Sequence, residues 1–210
     1  MERTEGARRV LSSGLGYSLF QQMIGANGLR AWLAANFWKI PPGSRVIDIG
    51  CGPGDVLPFL PSDIEYVGFD PSAPYIRLAE RRFAGRPRVT FLRGVVRDFA
   101  ADPRFQDADL VLCNGVLHHL DDREASEVLA LARKMLKAGG AFRCLEASYL
   151  VHQGRLSRWL MGLDRGANIR CEAEWKALMG GVFDSYLTRI ATGLIRFPYV
   201  HILMEGMKPA

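Results

Sequence analysis

The sequence predicts an α/β protein built on a doubly wound, mostly parallel sheet that is covered by helices on both faces. Short runs of β-branched and apolar residues alternate with stretches of helical periodicity, which is typical of parallel strands joined by crossover helices. Several of these runs end in glycine or aspartate, the usual residues of a tight turn. The 210 residues, 49% of them hydrophobic, are enough to bury one core of this size.

The first 42 residues form a predicted helical unit. Leu15, Leu19 and Met23 recur four apart, as on one face of a helix. Two prolines and a glycine at 41–43 end the unit, because proline cannot continue a helix. We expect residues 1–42 either to pack on the core as ordinary helices or to form an N-terminal lid over a bound ligand. The residues that could reach the site from such a lid are Arg9, Tyr17 and Phe20.

Residues 43–210 form the main predicted domain. Its predicted strands are 45–49, 65–69, 88–92, 108–113 and 141–145, followed by a closing antiparallel pair at 183–191 and 199–205. A short helix near Gly54 and longer helices at 71–83, 123–136 and 172–179 connect them, with Asp121 or Asp122 as the cap of the 123–136 helix and Gly139-Gly140 as its stop. An insertion at about 148–170 interrupts the alternation.

The stretch Asp48-Ile49-Gly50-Cys51-Gly52-Pro53-Gly54 follows the first predicted strand and determines the functional interpretation. Glycine is needed where the backbone has a positive φ or where a ligand contacts the main chain. The carboxylate of Asp48, at the end of a buried strand, needs hydrogen-bond partners from loop amides or from a ligand. The G-x-G-x-G spacing differs from the G-x-G-x-x-G of dinucleotide-binding turns, and no G-K-[ST] of a phosphate-binding loop follows.

This stretch resembles the first motif of the class I S-adenosylmethionine-dependent methyltransferases. Val67-Gly68-Phe69-Asp70-Pro71-Ser72 is similar to the family's second-strand signature, and Val116-Leu117-His118-His119-Leu120 is similar to a stretch after its fourth strand. The resemblance covers residues 43–147. It implies a Rossmann-like, seven-stranded sheet with the last strand antiparallel, S-adenosyl-L-methionine as cofactor, and methyl transfer as activity.

The same resemblance assigns the cofactor contacts. Asp70 could accept two hydrogen bonds from a ribose diol, although it could also serve only as the cap of the next helix. Where the family usually has an aspartate near adenine, this chain has Val95, so backbone groups of Val95 or Val96, or the side chain of Asp98, are the expected contacts. The predicted cofactor-binding residues are Asp48, Gly50, Cys51, Gly52, Gly54, Asp70, Pro71, Val95, Val96, Cys113, Asn114 and Gly115.

Three residues are predicted to be catalytic: His118, His119 and Glu146. Either histidine could act as a general base, because imidazole titrates near neutral pH. One of the two could instead be a structural hydrogen-bond partner beneath the cofactor. Further substrate-side candidates, for which packing is an equal alternative, are His152, Tyr199 and His201.

The composition and the absence of certain motifs argue against several classes of binding partner. The net charge of +5 permits an anionic partner, but the arginines lack interleaved aromatics, so nucleic acid is not expected. Neither an Asp/Asn-Pro-Pro-aromatic stretch nor a Pro-Cys pair is present, which argues against DNA methylation. The four cysteines lack metal-ligand spacing, so we expect no metal and a reducing, cytoplasmic setting. We expect no transmembrane segment, since no run of about 18 apolar residues exists.

The resulting hypothesis is methyl transfer from S-adenosyl-L-methionine to an oxygen or nitrogen atom of a small organic acceptor. Three alternatives stay open. The chain could methylate a lipid-linked or macromolecular substrate that its arginines recruit, or bind the cofactor without catalysis. It could also be a nicotinamide-dependent oxidoreductase, which the glycine spacing disfavours.

Overall fold

The structure is a computed structural model that describes residues 25–99, 101–162 and 168–210. Its strands are β1 (Arg45–Ile49), β2 (Glu65–Asp70), β3 (Val89–Arg93), β4 (Ala108–Asn114), β5 (Leu136–Tyr149), β6 (Arg170–Cys171), β7 (Ser185–Thr192) and β8 (Val200–Met207). Seven of them follow the order β3-β2-β1-β4-β5-β8-β7, and the two-residue β6 pairs with β5. The strands β1 to β5 are parallel, whereas β8 runs antiparallel to both β5 and β7, which confirms the predicted sheet.

The strands in the middle of the sheet are buried on both faces, which explains why they are continuous apolar runs. Successive side chains of a strand point to opposite faces. In β1, Val46 therefore packs into one apolar cluster with Leu110 and Leu112, while Ile47 packs into the other cluster with Val111. The carboxyl ends of the parallel strands consequently meet at one edge of a rigid layer.

One helix precedes β1, and the others lie between later strands. They are α1 (Ala26–Leu33), α2 (Ala73–Arg82), α3 (Val96–Phe99), α4 (Asp122–Met135), α5 (Arg155–Met161) and α6 (Glu172–Gly180). Asp121, and not Asp122, is the N-cap of α4, since its side chain accepts from the Glu124 N–H while the Glu124 side chain accepts from the Asp121 N–H. None of the described helices is long and apolar enough to cross a membrane.

Two predicted boundaries differ from the structure. The segment after the glycine-rich stretch forms only a 3-10 turn at Leu57–Phe59, because Pro58 lacks an N–H to continue a helix. The glycines at 139 and 140 do not stop α4, which already ends at Met135; they lie inside β5, at a register shift against β4. A Cβ on Gly140 would lie 2.8 Å from the Ala108 carbonyl oxygen, so the close approach of the strands requires glycine there.

The predicted lid and insertion fall partly outside the described residues. Arg9, Tyr17 and Phe20 lie outside them, and the described part of residues 1–42 begins at Gly25. Of the insertion at about 148–170, the structure describes β6 and α5 but not residues 163–167. The division into an N-terminal unit and a main domain stays a prediction.

Candidate functional site

The predicted site residues lie along one edge of the sheet, at the carboxyl ends of five neighbouring parallel strands. In open α/β sheets, ligands bind outside this edge, near the point where the strand order reverses. Here that point lies between β1 and β4. The glycine-rich turn follows β1, Asp70 ends β2, Val95 follows β3, Asn114 ends β4, and Glu146 lies in the last part of β5.

The three glycines of the turn after β1 have positive φ angles but serve different purposes. A Cβ on Gly50 would lie 2.4 Å from Val116 Cγ2, and one on Gly54 would lie 2.8 Å from Phe83 Cε2. These two glycines are required by packing within the protein. Gly52, with φ of 53°, has no described heavy atom within 4 Å of that position. Its main chain is therefore open to a ligand.

Asp48 is only 2% exposed, and its partner comes from the neighbouring strand. The Tyr66 hydroxyl donates a hydrogen bond of 2.6 Å to Asp48 Oδ2. Burial raises the pKa of Asp48 to about 7; the Tyr66 hydrogen bond opposes this shift, and the nearby charge of Asp70 adds to it. Tyr66 pairs with Val46, which points to the same face as Asp48, so knowledge of the strand register would have identified this partner.

Asp70 connects the glycine-rich turn to the end of β2. Its Oδ2 accepts the Gly52 N–H at 3.1 Å, and its Oδ1 accepts the Ser72 N–H at 2.7 Å. Ser72 is the N-cap of α2, so Asp70 itself is not that cap. Burial raises the pKa of Asp70. Because each carboxylate oxygen can accept two hydrogen bonds, Asp70 keeps acceptor capacity for a ligand. The adjacent Pro71 is exposed.

The other residues predicted around the turn and β3 offer fewer groups. The Cys51 thiol is buried against Gly68, where a Cβ would lie 2.9 Å from its sulfur, so only the Cys51 backbone can face a ligand. The Asp98 carboxylate accepts the Val95 N–H at 2.9 Å and so closes its own turn. Val96 is buried, whereas the Val95 side chain is 47% exposed and offers an apolar surface.

At the end of β4, Asn114 has a donor that the described residues do not use. Its Oδ1 accepts the Leu145 N–H at 3.2 Å, but its buried Nδ2 has no hydrogen-bond partner within residues 25–99, 101–162 and 168–210. Gly115 follows with a φ of 69° and is exposed. An unsatisfied donor beside an open glycine is a typical place for an oxygen atom of a ligand.

Cys113 lies within the core, directly opposite Cys144 in the neighbouring strand. The hydrogen bond with Cys144 lowers the pKa of Cys113, but burial and the charge of Glu146 together outweigh it, and the net shift is upward. Burial also raises the pKa of Cys144. The possible metal-ligating atoms of Cys113, Cys144 and Glu146 lie within 4.8 Å of one another. A metal binds the thiolate form of cysteine, however, and the raised pKa values of both thiols disfavour that form.

Glu146 is 1% exposed and lies beneath the turn that follows β4. Its Oε1 accepts the N–H groups of Val116 and Leu117 at 2.9 and 2.8 Å. Its Oε2 lies 2.5 Å from His118 Nδ1. All these partners belong to the protein itself, so this carboxylate holds the turn in place.

Arg170 fixes the other side of the same turn, and sequence analysis did not identify it. Its buried guanidinium donates to the carbonyl oxygens of Leu117 and Leu120 at 3.1 and 2.7 Å, and to Asp122 Oδ1 at 2.7 Å. It also lies 4.8 Å from the ring centroid of Trp175. An arginine between a loop and a helix has no distinctive sequence pattern, which explains why it was missed.

The turn that Glu146 and Arg170 hold carries both predicted histidines. The rings of His118 and His119 are 4.1 Å apart between centroids; His118 is buried, and His119 is exposed. His152 is exposed on the segment after β5, and the buried His201 ring lies 4.9 Å from that of Tyr199. A groove of about 560 Å³ is lined by Ala31, Lys39 and Pro58 among others. None of the predicted site residues lines it, so it is separate from the candidate site.

The comparisons with known proteins agree with this geometry. Residues 47–142 match the family of methyltransferase domains. An uncharacterized methyltransferase of Synechocystis sp. is 29% identical over 122 residues, which are 58% of this chain and 52% of that protein. The cyclopropane-fatty-acyl-phospholipid synthase of Escherichia coli is 31% identical over 106 residues, 50% of this chain and 26% of that protein. The chain thus spans about half or less of the length of these curated relatives.

A solved structure shows the same fold over nearly the whole chain. The magnesium protoporphyrin IX methyltransferase of Synechocystis, with bound SAH (S-adenosylhomocysteine), superposes with a TM-score of 0.63 at 22% identity. The match covers 96% of this chain and 92% of that one.

Proposed function

We propose that this chain, which belongs to the class I S-adenosylmethionine-dependent methyltransferases, transfers the methyl group of S-adenosyl-L-methionine to an oxygen or nitrogen atom of a small organic acceptor. The observation that carries the proposal is the open turn at Gly52, which lies between the carboxylates of Asp48 and Asp70. Two acids with raised pKa values at a turn that leaves its main chain accessible favour a cationic guest with hydroxyl groups.

The residues fit the parts of this cofactor one by one. Asp70 retains acceptor capacity for the ribose hydroxyls, and the exposed Val95 side chain offers an apolar surface to adenine. The Nδ2 of Asn114, which no described residue engages, would donate to the carboxylate of the methionyl group. A positive charge near Asp48 would lower its pKa and restore the ionised form.

The protein's main task in this reaction is to hold the acceptor in line. When bound, the cofactor supplies a methyl group that its positive sulfonium has already activated. Correct alignment of an acceptor can contribute about 7–11 kcal/mol in favourable cases. The exposed His119 is the candidate base for a hydroxyl or ammonium acceptor, a role worth about 10²–10⁴-fold in rate. Glu146, initially a catalytic candidate, is proposed instead as a positioning residue for the turn that bears His119.

Isothermal titration calorimetry with S-adenosylmethionine and SAH tests the cofactor site. Asp70→Ala should weaken binding by about 1.5–3 kcal/mol, the range for hydrogen bonds to a charged group. Asp63→Ala is the matched control, because Asp63 is an exposed acid near the amino end of the same strand. An affinity that Asp70→Ala leaves unchanged would mean that Asp70 only connects the turn to α2.

The acceptor is then sought by following SAH release with panels of phenols, carboxylic acids and amines. Turnover on any of these supports the small-molecule proposal. Tight cofactor binding without turnover on any of them would favour a non-catalytic module, and turnover only on RNA, protein or lipid-linked compounds would favour a larger substrate.

A further inference from the structure

The segment after β5 exposes a group of large apolar side chains next to arginines. Val151 is 90% exposed, and Leu156 and Trp159 on α5 are each 62% exposed. Arg155 and Arg158 on the same helix are also exposed. We call these five residues the α5 surface.

The opposite face of α5 is fixed to the protein. Met161 is fully buried in a small cluster with Ala147 and Val200, and Ser157, one turn earlier, is also buried. The Gln153 Nε2 donates to Ser157 Oγ at 2.7 Å. Residues four apart lie on the same face of a helix, so burial of Ser157 and Met161 turns Leu156 and Trp159 outward.

The charge of the α5 surface is uniformly positive. No acidic residue lies between Glu146 and Asp164 in the sequence. The Arg158 guanidinium lies 5.0 Å from the ring centroid of Tyr149, and Arg155 opens the helix. Tryptophan and leucine flanked by arginines are typical of helices that lie in the headgroup region of anionic membranes.

We propose that the α5 surface docks this protein on an anionic lipid bilayer. Leu156 and Trp159 would enter the boundary between headgroups and acyl chains, while Arg155 and Arg158 contact lipid phosphates. This inference does not depend on the proposed methyl transfer. Because α5 follows the carboxyl end of β5, docking would bring the edge of the sheet that carries the candidate site towards the membrane.

A bilayer fits this surface better than a second copy of the chain. In a two-fold symmetric contact the same patch faces itself, so the arginines would approach arginines across the interface. Three exposed apolar side chains are also few for a stable dimer, whose interface typically takes about 20–30 residues a side. A fluid anionic surface needs neither shape complementarity nor a large contact.

Co-sedimentation of the full chain with lipid vesicles tests the proposal. Vesicles of equal parts phosphatidylcholine and phosphatidylglycerol should bind the protein, vesicles of phosphatidylcholine alone should bind it much more weakly, and added salt should reduce binding. The double variants Leu156→Ser/Trp159→Ala and Arg155→Gln/Arg158→Gln should each weaken binding about tenfold or more.

Matched variants distinguish binding through the α5 surface from nonspecific binding through other exposed apolar or positively charged side chains. Leu187→Ser removes a side chain that is 71% exposed on β7, and Arg77→Gln/Arg81→Gln removes two exposed arginines from α2. Both controls should bind anionic vesicles like the unmodified protein. SAH affinity measured by calorimetry should be equal in all variants, which shows that the cofactor site is intact.

Several results would overturn the proposal: no binding to anionic vesicles, equal binding to both vesicle types, or equal losses in the controls. A dimer in sedimentation equilibrium that Leu156→Ser/Trp159→Ala dissociates would assign the α5 surface to a second copy instead. None of these results would bear on cofactor binding or methyl transfer.

Discussion

Asp48 and Glu146 are both almost fully buried carboxylates near the carboxyl ends of strands, yet their surroundings are opposite. Among the described residues one side chain, the Tyr66 hydroxyl, donates to Asp48, and burial raises the pKa of Asp48 to about 7. Glu146 accepts the backbone N–H groups of Val116, Leu117 and His118, and its Oε2 also lies against the His118 ring. Within the part of the chain that the structure describes, the buried acid on the β1–β2 side therefore has far fewer hydrogen-bond partners than the one on the β4–β5 side.

This difference suggests a criterion for deciding which buried acid contacts a ligand and which one stabilises the surrounding protein. An incompletely satisfied buried group costs stability, and such groups are retained where a ligand supplies the missing partner. A carboxylate saturated by the protein instead fixes the conformation of the groups around it. On this basis we propose that Asp48 belongs to the cofactor site and Glu146 to the framework of the histidine turn. Four substitutions test the comparison, in order of decreasing effect on the free energy of unfolding.

Glu146→Ala should have the largest effect. It leaves the N–H groups of Val116 and Leu117 and the His118 ring without their buried partner, and each buried donor left unsatisfied costs about 1–3 kcal/mol. Urea denaturation at neutral pH measures the change. Glu80→Ala, which removes an exposed acid from α2, is the control and should change stability little. A loss below about 1 kcal/mol for Glu146→Ala would contradict the supporting role.

Asp48→Asn should stabilise the protein, in contrast to Glu146→Ala, and the gain in free energy of unfolding should depend on pH. The folded pKa of about 7 lies above the ordinary 3.8, so between these values the folded state binds more protons than the unfolded state. Asp48 therefore destabilises the ligand-free protein increasingly as pH rises through this window. The asparagine variant should equal the unmodified protein near pH 4 and exceed its stability by about 2–4 kcal/mol at pH 8.

Urea denaturation of ligand-free protein across this pH range makes the measurement, with Asp63→Asn as the exposed control. A stability difference that does not change with pH would mean that Asp48 is no more perturbed than a surface acid. The gain at pH 8 should be accompanied by weaker S-adenosylmethionine binding, because the variant no longer offers a negative charge to the positive sulfonium of that cofactor.

Arg170→Met should follow, with a loss of about 2–3 kcal/mol. The carbonyl oxygens of Leu117 and Leu120 would lose a charged donor, and a buried acceptor left unsatisfied costs about 1–3 kcal/mol. Arg170→Lys keeps the charge but not the fork of donors, so it should recover only part of the loss. The contrary result would be full recovery by lysine, which would mean that charge alone holds the turn.

The sequence marks the candidate residues on the β1–β2 side more distinctly than those on the β4–β5 side, for a physical reason. The glycines at 50, 52 and 54 have positive φ angles, and such positions require glycine at fixed spacing, which also marks the acids that flank them. Glu146 and Arg170 act through contacts with the turn at 116–120 that are 26 or more residues away in sequence. Such distant contacts leave no pattern in the local sequence, so the sequence alone does not distinguish a supporting role from a catalytic one.

The limits of some strands were predictable from the sequence and those of others were not. The run of apolar residues in β1 defined it correctly, because that strand is buried on both faces. The start of β5 was not predictable, since the glycine pair at 139–140 is compatible with a helix stop as well as with a register shift. Only the pairing with β4 decides between these two structures.

Gly52→Ala should have the smallest effect on stability and a large effect on binding. A residue with a side chain at a φ of 53° costs about 1–2 kcal/mol, but the added methyl group meets no described atom. Gly43→Ala is a matched control: its φ is 75°, the space around it is equally open, and it lies before β1, at the opposite edge of the sheet.

Both alanine variants should therefore lose about the same stability, near 1 kcal/mol, in urea denaturation. Only Gly52→Ala should weaken SAH binding in calorimetry, because its methyl group occupies space that the ligand needs. If both variants bind SAH equally well, the space above Gly52 is not where the cofactor lies. The cofactor would then not compensate for the few hydrogen-bond partners of Asp48. The difference between Asp48 and Glu146 would no longer indicate which of them contacts the cofactor.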